Sequence, residues 1–236
     1  MAQQIYPPNV IIHNILSAFF KYKGLTLTSR GAIPDVAPRA FTSDEIISDM
    51  EQFHYVRLDA LRTNPRGVRD VVVVLVLATD GKYTHHGPDL RQLIEGVNSE
   101  RLSKDGRLDE IIIVAEEAFF SKKNLTDVIR TFQAKQVGGP DIDGGAPFYS
   151  AHPYYIFSCV VPENHSVPPH RILTLKEVED FLRAEYLTYR DLPVIYTTDP
   201  PIIWLGGREG QVAHIMRYSQ TAGATPYLRR IEKGAL

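Results

Sequence analysis

The sequence predicts an α/β N-terminal domain over residues 1–161 and a small α+β C-terminal domain over residues 162–236. Residues 71–77 are all valine or leucine, which is typical of a strand buried on both faces. Helical patterns alternate with this and other apolar runs, as they do in α/β layers. Residues 162–169 then carry Pro, Asn and Ser without a periodic apolar pattern. Such a stretch indicates the boundary between the two domains.

Length and charge limit the possible functions. A chain of 236 residues is long enough for two domains that each bury a core. The 26 Lys and Arg residues nearly balance the 28 Asp and Glu residues. The protein therefore offers no broad electrostatic attraction for nucleic acid or for an anionic membrane. Any contact with DNA must be local.

Cysteine content and hydropathy predict an intracellular, soluble protein. The single cysteine, Cys159, cannot form an intramolecular disulfide, which fits a reducing compartment, and we predict that its thiol is buried in an apolar strand. The longest apolar run, residues 71–78, is too short to span a bilayer. The first residues also lack the basic segment of a signal peptide.

The first domain begins with two predicted helices. Apolar side chains recur at helical spacing over residues 9–23. A second helix starts at Thr42, because Thr42 and Glu45 have the spacing of a capping box. The strand of residues 71–77 follows these helices.

Further strands and helices alternate after residue 77. Residues 111–114 and 154–157 are predicted to be central strands. Residues 90–97 and 124–134 are predicted to be helices. Residues 137–147 are rich in glycine and are predicted to be an inserted loop.

The second domain is predicted to contain one clear helix and two strands. Thr174 and Glu177 again have capping-box spacing, and Val178, Phe181 and Leu182 follow on one helical face. Glycines and prolines predict a fixed turn over residues 200–210. Strand patterns then cover residues 211–218 and 227–231.

No motif of a catalytic or metal centre is complete in the sequence. A metal-dependent nuclease would need a strand carboxylate and a nearby Glu-x-Lys to hold a divalent ion. Ala118 and Phe119 stand two residues after Glu116 and Glu117, where a lysine would be needed. His85 and His86 have no cysteine nearby to form a zinc site. We therefore predict no catalytic residues, metal or cofactor, and a free DNA-binding or nuclease-like protein stays the alternative.

A short basic turn is the best candidate for a DNA contact. It consists of Ser121, Lys122, Lys123 and Asn124, at the predicted start of a helix. Backbone N–H groups at a helix N-terminus and two lysines can meet a phosphate. The alternative is that these lysines are solvated surface residues.

The last third of the chain carries several motifs in a fixed order. They are Val167-Pro168-Pro169-His170, a helix sequence over residues 173–179, Leu192-Pro193, Asp199-Pro200, a Gly-x-x-x-Gly-Gln-Val pattern over residues 206–212, an Arg-x-Ser-x-Thr-Ala-Gly pattern over residues 217–223, and Arg229. In order and spacing this region resembles the C-terminal domain of the RNA polymerase subunit 5/H family. Residues 81–87, 121–124 and 199–207 resemble versions carried by large nucleocytoplasmic DNA viruses.

The resemblance implies a non-catalytic subunit of a multisubunit DNA-directed RNA polymerase. Its C-terminal assembly domain would dock on the largest subunit. Its N-terminal domain would be a lower jaw beside downstream double-stranded DNA, with a nuclease-like layer that has no catalytic centre. A viral member would work in the host cytoplasm and be present in the virion, whereas a cellular member would work in the nucleus.

The resemblance also implies which residues lie at the interface between subunits. They are His170, Asp199, Pro200, Gly206, Arg208, Gly210, Gln211, Val212, Arg217, Ser219, Thr221, Ala222, Gly223 and Arg229. Val212, His214 and Met216 alternate with Gln211, Ala213 and Ile215 along this segment, which predicts that one strand face packs within the domain while the other meets the partner. Arg217 and residues 219–223 would supply hydrogen-bond donors at this interface.

Overall fold

The computed structural model describes residues 6–29, 43–63, 69–80, 82–99, 102–103, 106–134, 147–219 and 223–234. The chain divides into an N-terminal unit and a C-terminal unit, and the boundary along the chain lies between Ser158 and Cys159. No helix in the described ranges is long and apolar enough to cross a membrane.

The described residues of the N-terminal unit form a mixed six-stranded sheet. Its strands are β1 (Thr26–Ser29), β2 (Tyr55–Thr63), β3 (Arg69–Leu77), β4 (Leu102–Ser103), β5 (Gly106–Ala115) and β6 (Phe148–Pro153). The order is β1-β2-β3-β5-β4, with β6 also paired to β5. The central strands β3, β5 and β6 are parallel, and the other pairs are antiparallel.

The N-terminal unit contains the predicted helices and two further short helices that were not predicted. They are α1 (Pro8–Asn14), a π-helical turn (Ile15–Phe19), α2 (Phe20–Tyr22), α3 (Ser43–Phe53), α4 (Lys82–His85), α5 (Gly87–Ser99), α6 (Glu117–Phe120) and α7 (Lys123–Ala134). The helix predicted over residues 9–23 is confirmed as one continuous segment that contains the π turn. The predicted capping residue Thr42 lies outside the described residues, as do residues 137–146 of the predicted loop.

The prediction that residues 71–77 form a strand buried on both faces is confirmed. Side chains from Val72 to Leu77 are at most 1% exposed, so both faces of β3 are covered. Residues 111–115 of β5 are buried in the same way. Parallel strands covered on both faces need continuous apolar sequence, and for this reason they were recognisable.

The prediction of a strand over residues 154–157 is wrong, because Tyr154–Phe157 is a 3-10 helix that follows β6. Tyr154, Ile156 and Phe157 are buried, while Tyr155 is exposed. The Tyr154 hydroxyl donates to the carbonyl of Leu77, at the end of β3. This buried bond holds the segment in a helical turn, and a short apolar run alone does not distinguish the two structures.

The C-terminal unit is built on a four-stranded sheet with the order β7-β9-β10-β8. Its strands are β7 (His170–Ile172), β8 (Val194–Tyr196), β9 (Val212–Ser219) and β10 (Gly223–Glu232). Its helices are α8 (Leu175–Ala184) and α9 (Pro200–Leu205), with 3-10 turns at Val161–Glu163 and Tyr189–Asp191. The long strands β9 and β10 form an antiparallel hairpin, and β8 is parallel to β10.

The two helices of the C-terminal unit cover opposite faces of this sheet. The core under α9 contains Ile195, Ile202, Ala213, Ile215 and Ile231. The core under α8 contains Leu192, Val212 and Leu228, packed against Val178, Phe181 and Leu182. Adjacent residues of a strand point to opposite faces, so Val212 and Ala213 belong to different cores. The predicted capping box of Thr174 and Glu177 is confirmed at the start of α8.

Two further expectations for this region are corrected. Residues 200–210 do not form a single turn, because Pro200–Leu205 is the helix α9 and the turn follows it. Proline fits the first position of a helix, where its missing N–H would have no intrahelical partner. Cys159 is exposed rather than buried, because it follows the 3-10 helix instead of lying in a strand.

Candidate assembly surface

One face of the C-terminal sheet brings several predicted interface residues together. His170 of β7 lies opposite Ile215 of β9, and Arg229 of β10 lies opposite Ala213. Residues 213, 215 and 217 share a face because side chains alternate along a strand. His170, Arg217 and Arg229 therefore lie on the face that α9 covers in part. We call His170, Asp199, Arg217, Tyr227 and Arg229 the assembly face.

Asp199 places a half-buried carboxylate on the assembly face. It is the N-cap residue of α9, and its backbone carbonyl accepts hydrogen bonds from Ile202 (2.9 Å) and Ile203 (3.0 Å). Its side chain makes no capping hydrogen bond. Desolvation raises the pKa of Asp199, while the nearby His170 and Arg229 act in the opposite direction. This carboxylate therefore does not serve as the cap of α9.

His170 has a defined ring orientation. Its Nδ1 lies 2.5 Å from the carbonyl oxygen of Pro168, so Nδ1 must carry the hydrogen and donate it. Partial burial lowers the pKa of His170, and it outweighs the Pro168 bond and the Asp199 charge, which raise the pKa. The lowered pKa favours the uncharged ring at neutral pH, and in that form Nε2 is a hydrogen-bond acceptor.

Arg217 and Tyr227 form a cation–π pair on the same face. The guanidinium carbon of Arg217 lies 5.4 Å from the centre of the Tyr227 ring. Both side chains are exposed. Such a pair contributes about 0.5–1 kcal/mol at an exposed site. Sequence reasoning missed Tyr227, although its place two residues before Arg229 put it on the same face as that arginine.

Arg229 connects the assembly face to the edge of the sheet. Its Nη1 donates a hydrogen bond of 3.1 Å to the backbone carbonyl of Val194 in β8. The side chain is half-buried. One role of Arg229 is thus structural, because it joins β10 and β8.

The glycine-rich turn before β9 collects four other predicted residues. Gly206 (φ 66°) and Gly210 (φ 87°) have left-handed backbone conformations, which glycine adopts without strain. The N–H of Arg208 donates to the Gln211 side chain at 2.7 Å, and the N–H of Gly210 donates to the carbonyl of Ile231 at 3.0 Å. These contacts within the unit give the turn a fixed shape. A role in binding a partner stays a prediction.

The remaining predicted interface residues differ in their burial and in their position in the fold. Val212 is 2% exposed and packs under α8 within the unit, and its role at a subunit interface stays a prediction. Pro200 is the first residue of α9, and Gly223 begins β10 with φ 68°. Thr221, Ala222 and the side chain of Ser219 lie outside the described residues.

The basic turn lies at the N-terminus of α7, as predicted. Lys123 is the first residue of this helix, and the N–H of Leu125 donates to the carbonyl of Lys122 at 3.0 Å. The Ser121 hydroxyl donates to the carbonyl of Ala118 at 2.8 Å. Lys123 and Asn124 are exposed, and Lys122 is half-buried. The turn therefore presents at least one lysine to solvent beside the positive end of a helix dipole.

The buried carboxylates of the N-terminal unit have basic partners. Asp109 accepts from Arg62 at 2.8 Å, and Glu110 accepts from Lys23 at 2.7 Å. Arg107 lies 4.0 Å from both Asp70 and Asp109. Across the described ranges, no three His, Cys, Asp or Glu side chains form a group that could hold a metal ion. These carboxylates form ion pairs that fit a structural role better than a nuclease centre.

Comparison with known proteins adds three relationships. The sequence model of the family described as RNA polymerase Rpb5, C-terminal domain, matches residues 159–231. The DNA-directed RNA polymerase RPB5 homolog of African swine fever virus is 33% identical over 166 residues, which are 70% of this chain and 75% of the viral protein. The RNA polymerase subunit Rpo5 of Methanocaldococcus jannaschii is 37% identical over 73 residues, which are 31% of this chain and 94% of the archaeal protein. The whole assembly face lies inside the region that the family model matches.

Proposed function

The chain belongs to the RPB5 family of DNA-directed RNA polymerase subunits, and on this premise we propose a separate role for each of its units. The C-terminal unit docks on the largest polymerase subunit, and the N-terminal unit forms the lower jaw beside downstream DNA. The family assigned from the sequence motifs is confirmed, and a viral relative matches 70% of the chain. The protein is a non-catalytic subunit, with other polymerase subunits as its partners.

The assembly face is the observation that supports docking. It combines two arginines, an exposed tyrosine, a histidine and a half-buried carboxylate on one side of the C-terminal sheet. Arginine and tyrosine are enriched in protein interfaces. The Asp199 carboxylate makes no capping bond within its unit and can accept hydrogen bonds from a partner. A pull-down of the full chain followed by mass spectrometry is expected to recover the largest polymerase subunit.

Reversing the charge of Arg217 is expected to weaken docking. Arg217→Glu removes the cation–π pair with Tyr227 and places a negative charge in the interface. We expect a loss of about 2 kcal/mol or more, which is about thirtyfold in affinity. The measurement is titration of the full chain against the co-expressed largest subunit. Arg183→Glu, on the exposed side of α8, is the control with the same change of charge and should bind normally. Equal affinities for the two variants would contradict docking through this face.

The basic turn at the start of α7 supports the jaw role. Two adjacent lysines beside a helix N-terminus can bind phosphates without reading bases. A polymerase must accept every sequence, so a contact of this kind suits downstream DNA. The near-neutral net charge of −2 means that such contact depends on the complex that holds the protein.

The double variant Lys122→Glu, Lys123→Glu is expected to weaken the hold of the assembled polymerase on downstream DNA. Loss of two phosphate contacts should reduce the slope of log affinity against log salt by about 2. Retention of a downstream duplex by the complex is measured at several salt concentrations. Lys21→Glu, Arg91→Glu makes the same charge change at exposed residues of α2 and α5 and is expected to keep the original slope. An unchanged slope for the Lys122, Lys123 variant would rule out this jaw contact.

A further inference from the structure

The outer edge of β9 extends beyond its neighbour β7. The β7–β9 pairing runs from Ile172 opposite Ala213 to His170 opposite Ile215. Two more hydrogen bonds lengthen it by one residue at each end. Leu173 donates to Val212 at 2.9 Å, and Met216 donates to Pro169 at 3.0 Å. The strand continues to Ser219, so its last residues have only β10 beside them in the described part of the sheet.

The register shows which backbone groups face this edge. In an antiparallel sheet, alternate residues of a strand bond to opposite neighbours. Val212 and Met216 bond toward β7, whereas Gln211 accepts from Ile231 of β10 at 2.8 Å. Tyr218 lies two residues after Met216 and therefore points its N–H and C=O toward the side of β7. Among the described residues, no strand pairs with Tyr218 on that side.

Two prolines explain why β7 stops where it does. Pro169 accepts from Met216 but has no N–H to return a bond to the Met216 carbonyl. Pro168 also lacks an N–H. The N–H of Val167 donates to Asn164 at 2.9 Å, which turns the chain away from β9. The Met216 carbonyl and the N–H and C=O of Tyr218 thus face the place that β7 would occupy if it continued.

The outer edge of β10, on the other side of the β9–β10 hairpin, is less suited to pairing with an added strand. Arg230 donates to Pro193 at 2.9 Å, so the even-numbered residues of β10 point toward β8. Beyond β8, the residues of β10 with this orientation are Ala224, Pro226 and Leu228. Pro226 has no N–H and blocks pairing in the middle of this edge. The two edges therefore differ, and the β9 edge accepts a strand more readily.

The side chains at the open edge indicate what kind of strand would fit. Arg217 points to the assembly face, where two arginines stand against the single carboxylate of Asp199. Tyr218 points to the other face and is 74% exposed. Met216 lies on the same face as Tyr218 and is half-buried. This edge matches an extended segment with an acidic side chain toward Arg217 and an apolar side chain beside Tyr218.

We propose that an extended segment of the largest polymerase subunit adds to the C-terminal sheet as a further strand along the outer edge of Met216–Ser219. A carboxylate of that segment pairs with Arg217, and an apolar side chain packs on Tyr218. Strand addition of this kind gives affinity through main-chain hydrogen bonds and specificity through alternate side chains. The proposal rests on the docking function and names its binding mode.

Hydrogen exchange of the wild-type protein is the first test. The amide of Tyr218 is expected to exchange quickly in the free chain and at least about tenfold more slowly in the complex with the largest subunit, because it would then donate to the added strand. The amide of Arg217 bonds toward β10 in both states and is the internal reference. Unchanged exchange at Tyr218 in a formed complex would overturn strand addition.

Three substitutions separate the contribution of the Tyr218 backbone N–H to binding from that of the Tyr218 side chain. Tyr218→Ala removes the ring and keeps the N–H, whereas Tyr218→Pro removes both. We expect Tyr218→Pro to bind the largest subunit about tenfold or more weakly than Tyr218→Ala, since it cannot donate to the added strand. Ala224→Pro is the matched control, because Ala224 lies opposite Tyr218 and points to the other edge. It should bind like the wild type. Thermal unfolding of all three variants verifies that the hairpin stays folded.

The possible outcomes are distinguishable. If the wild type forms no complex with the largest subunit, the proposed docking function fails. If it does form one but Tyr218→Pro binds like Tyr218→Ala and Tyr218 gains no protection, docking stands and strand addition fails. Protection of Tyr218 that grows with the concentration of the free chain would identify a second copy as the occupant and would also overturn the proposal.

Discussion

Replacing Glu110 with glutamine is expected to lower the free energy of unfolding of the N-terminal unit by about 3–5 kcal/mol. Lys23 Nζ lies 2.7 Å from both carboxylate oxygens of Glu110, and each side chain is only 5% exposed. The substitution removes the negative charge that Glu110 places beside a buried ammonium group. A domain is stable by about 5–15 kcal/mol in total, so the loss is a large fraction.

Urea unfolding of the full chain followed by circular dichroism measures this effect. Trp204 is the single tryptophan and lies in the C-terminal unit, so its fluorescence should report an unchanged transition. The double variant Lys23→Met, Glu110→Leu removes both charges and is expected to recover most of the lost stability. Asp127→Asn breaks the exposed pair with Arg130 (3.2 Å) and should cost less than about 1 kcal/mol. A similarly small cost for Glu110→Gln would show that the buried pair is not a main support of the unit.

Acid is expected to destabilise the N-terminal unit through His152. Desolvation, and secondly the charge of Lys23, lower the pKa of His152 from 6.5 to about 3. Between about pH 3 and pH 6.5, His152 binds a proton in the unfolded chain but not in the folded chain. The stability that this histidine contributes is therefore complete above pH 6.5 and falls as the pH is lowered toward 3. The expected loss is about 1.4 kcal/mol for each pH unit, or about 3 kcal/mol near pH 4.

The pH dependence of urea unfolding tests this expectation. His152→Gln cannot take up the proton and should unfold with a smaller dependence on pH in this range. His165→Gln, at an exposed residue of the C-terminal unit, is the control and should keep the wild-type dependence. Equal pH dependence in His152→Gln and the wild type would assign the acid sensitivity to other groups. Lys23→Met should raise the pKa of His152, because the lysine charge is one cause of its lowering.

The helices and strands that were predicted correctly are those that depend on residues close to each other in the sequence. The capping box of Thr174 and Glu177 depends on residues three positions apart, and β3 depends on an unbroken apolar run. The strand β2 was missed, although Val56 and Leu58 are buried and alternate with Arg57 and Asp59. Those two polar side chains form an ion pair of 2.8 Å on the other face of the strand. The period-two pattern was present in the sequence, but its charges made the segment resemble a loop.

The family, the longer helices and the strands β3, β5, β9 and β10 could be predicted from the sequence, because motif spacing, capping and apolar runs are properties of neighbouring residues. The fold was needed to show that His170, Asp199, Arg217 and Arg229 share a face and that Val212 is buried. It was also needed to show that the backbone N–H and C=O of Tyr218 face an edge with no paired strand among the described residues. These relations depend on strand register, and the packing of both faces of the sheet fixes that register. A shift of one residue would move Arg217 to the other face, and no local pattern records which register is chosen.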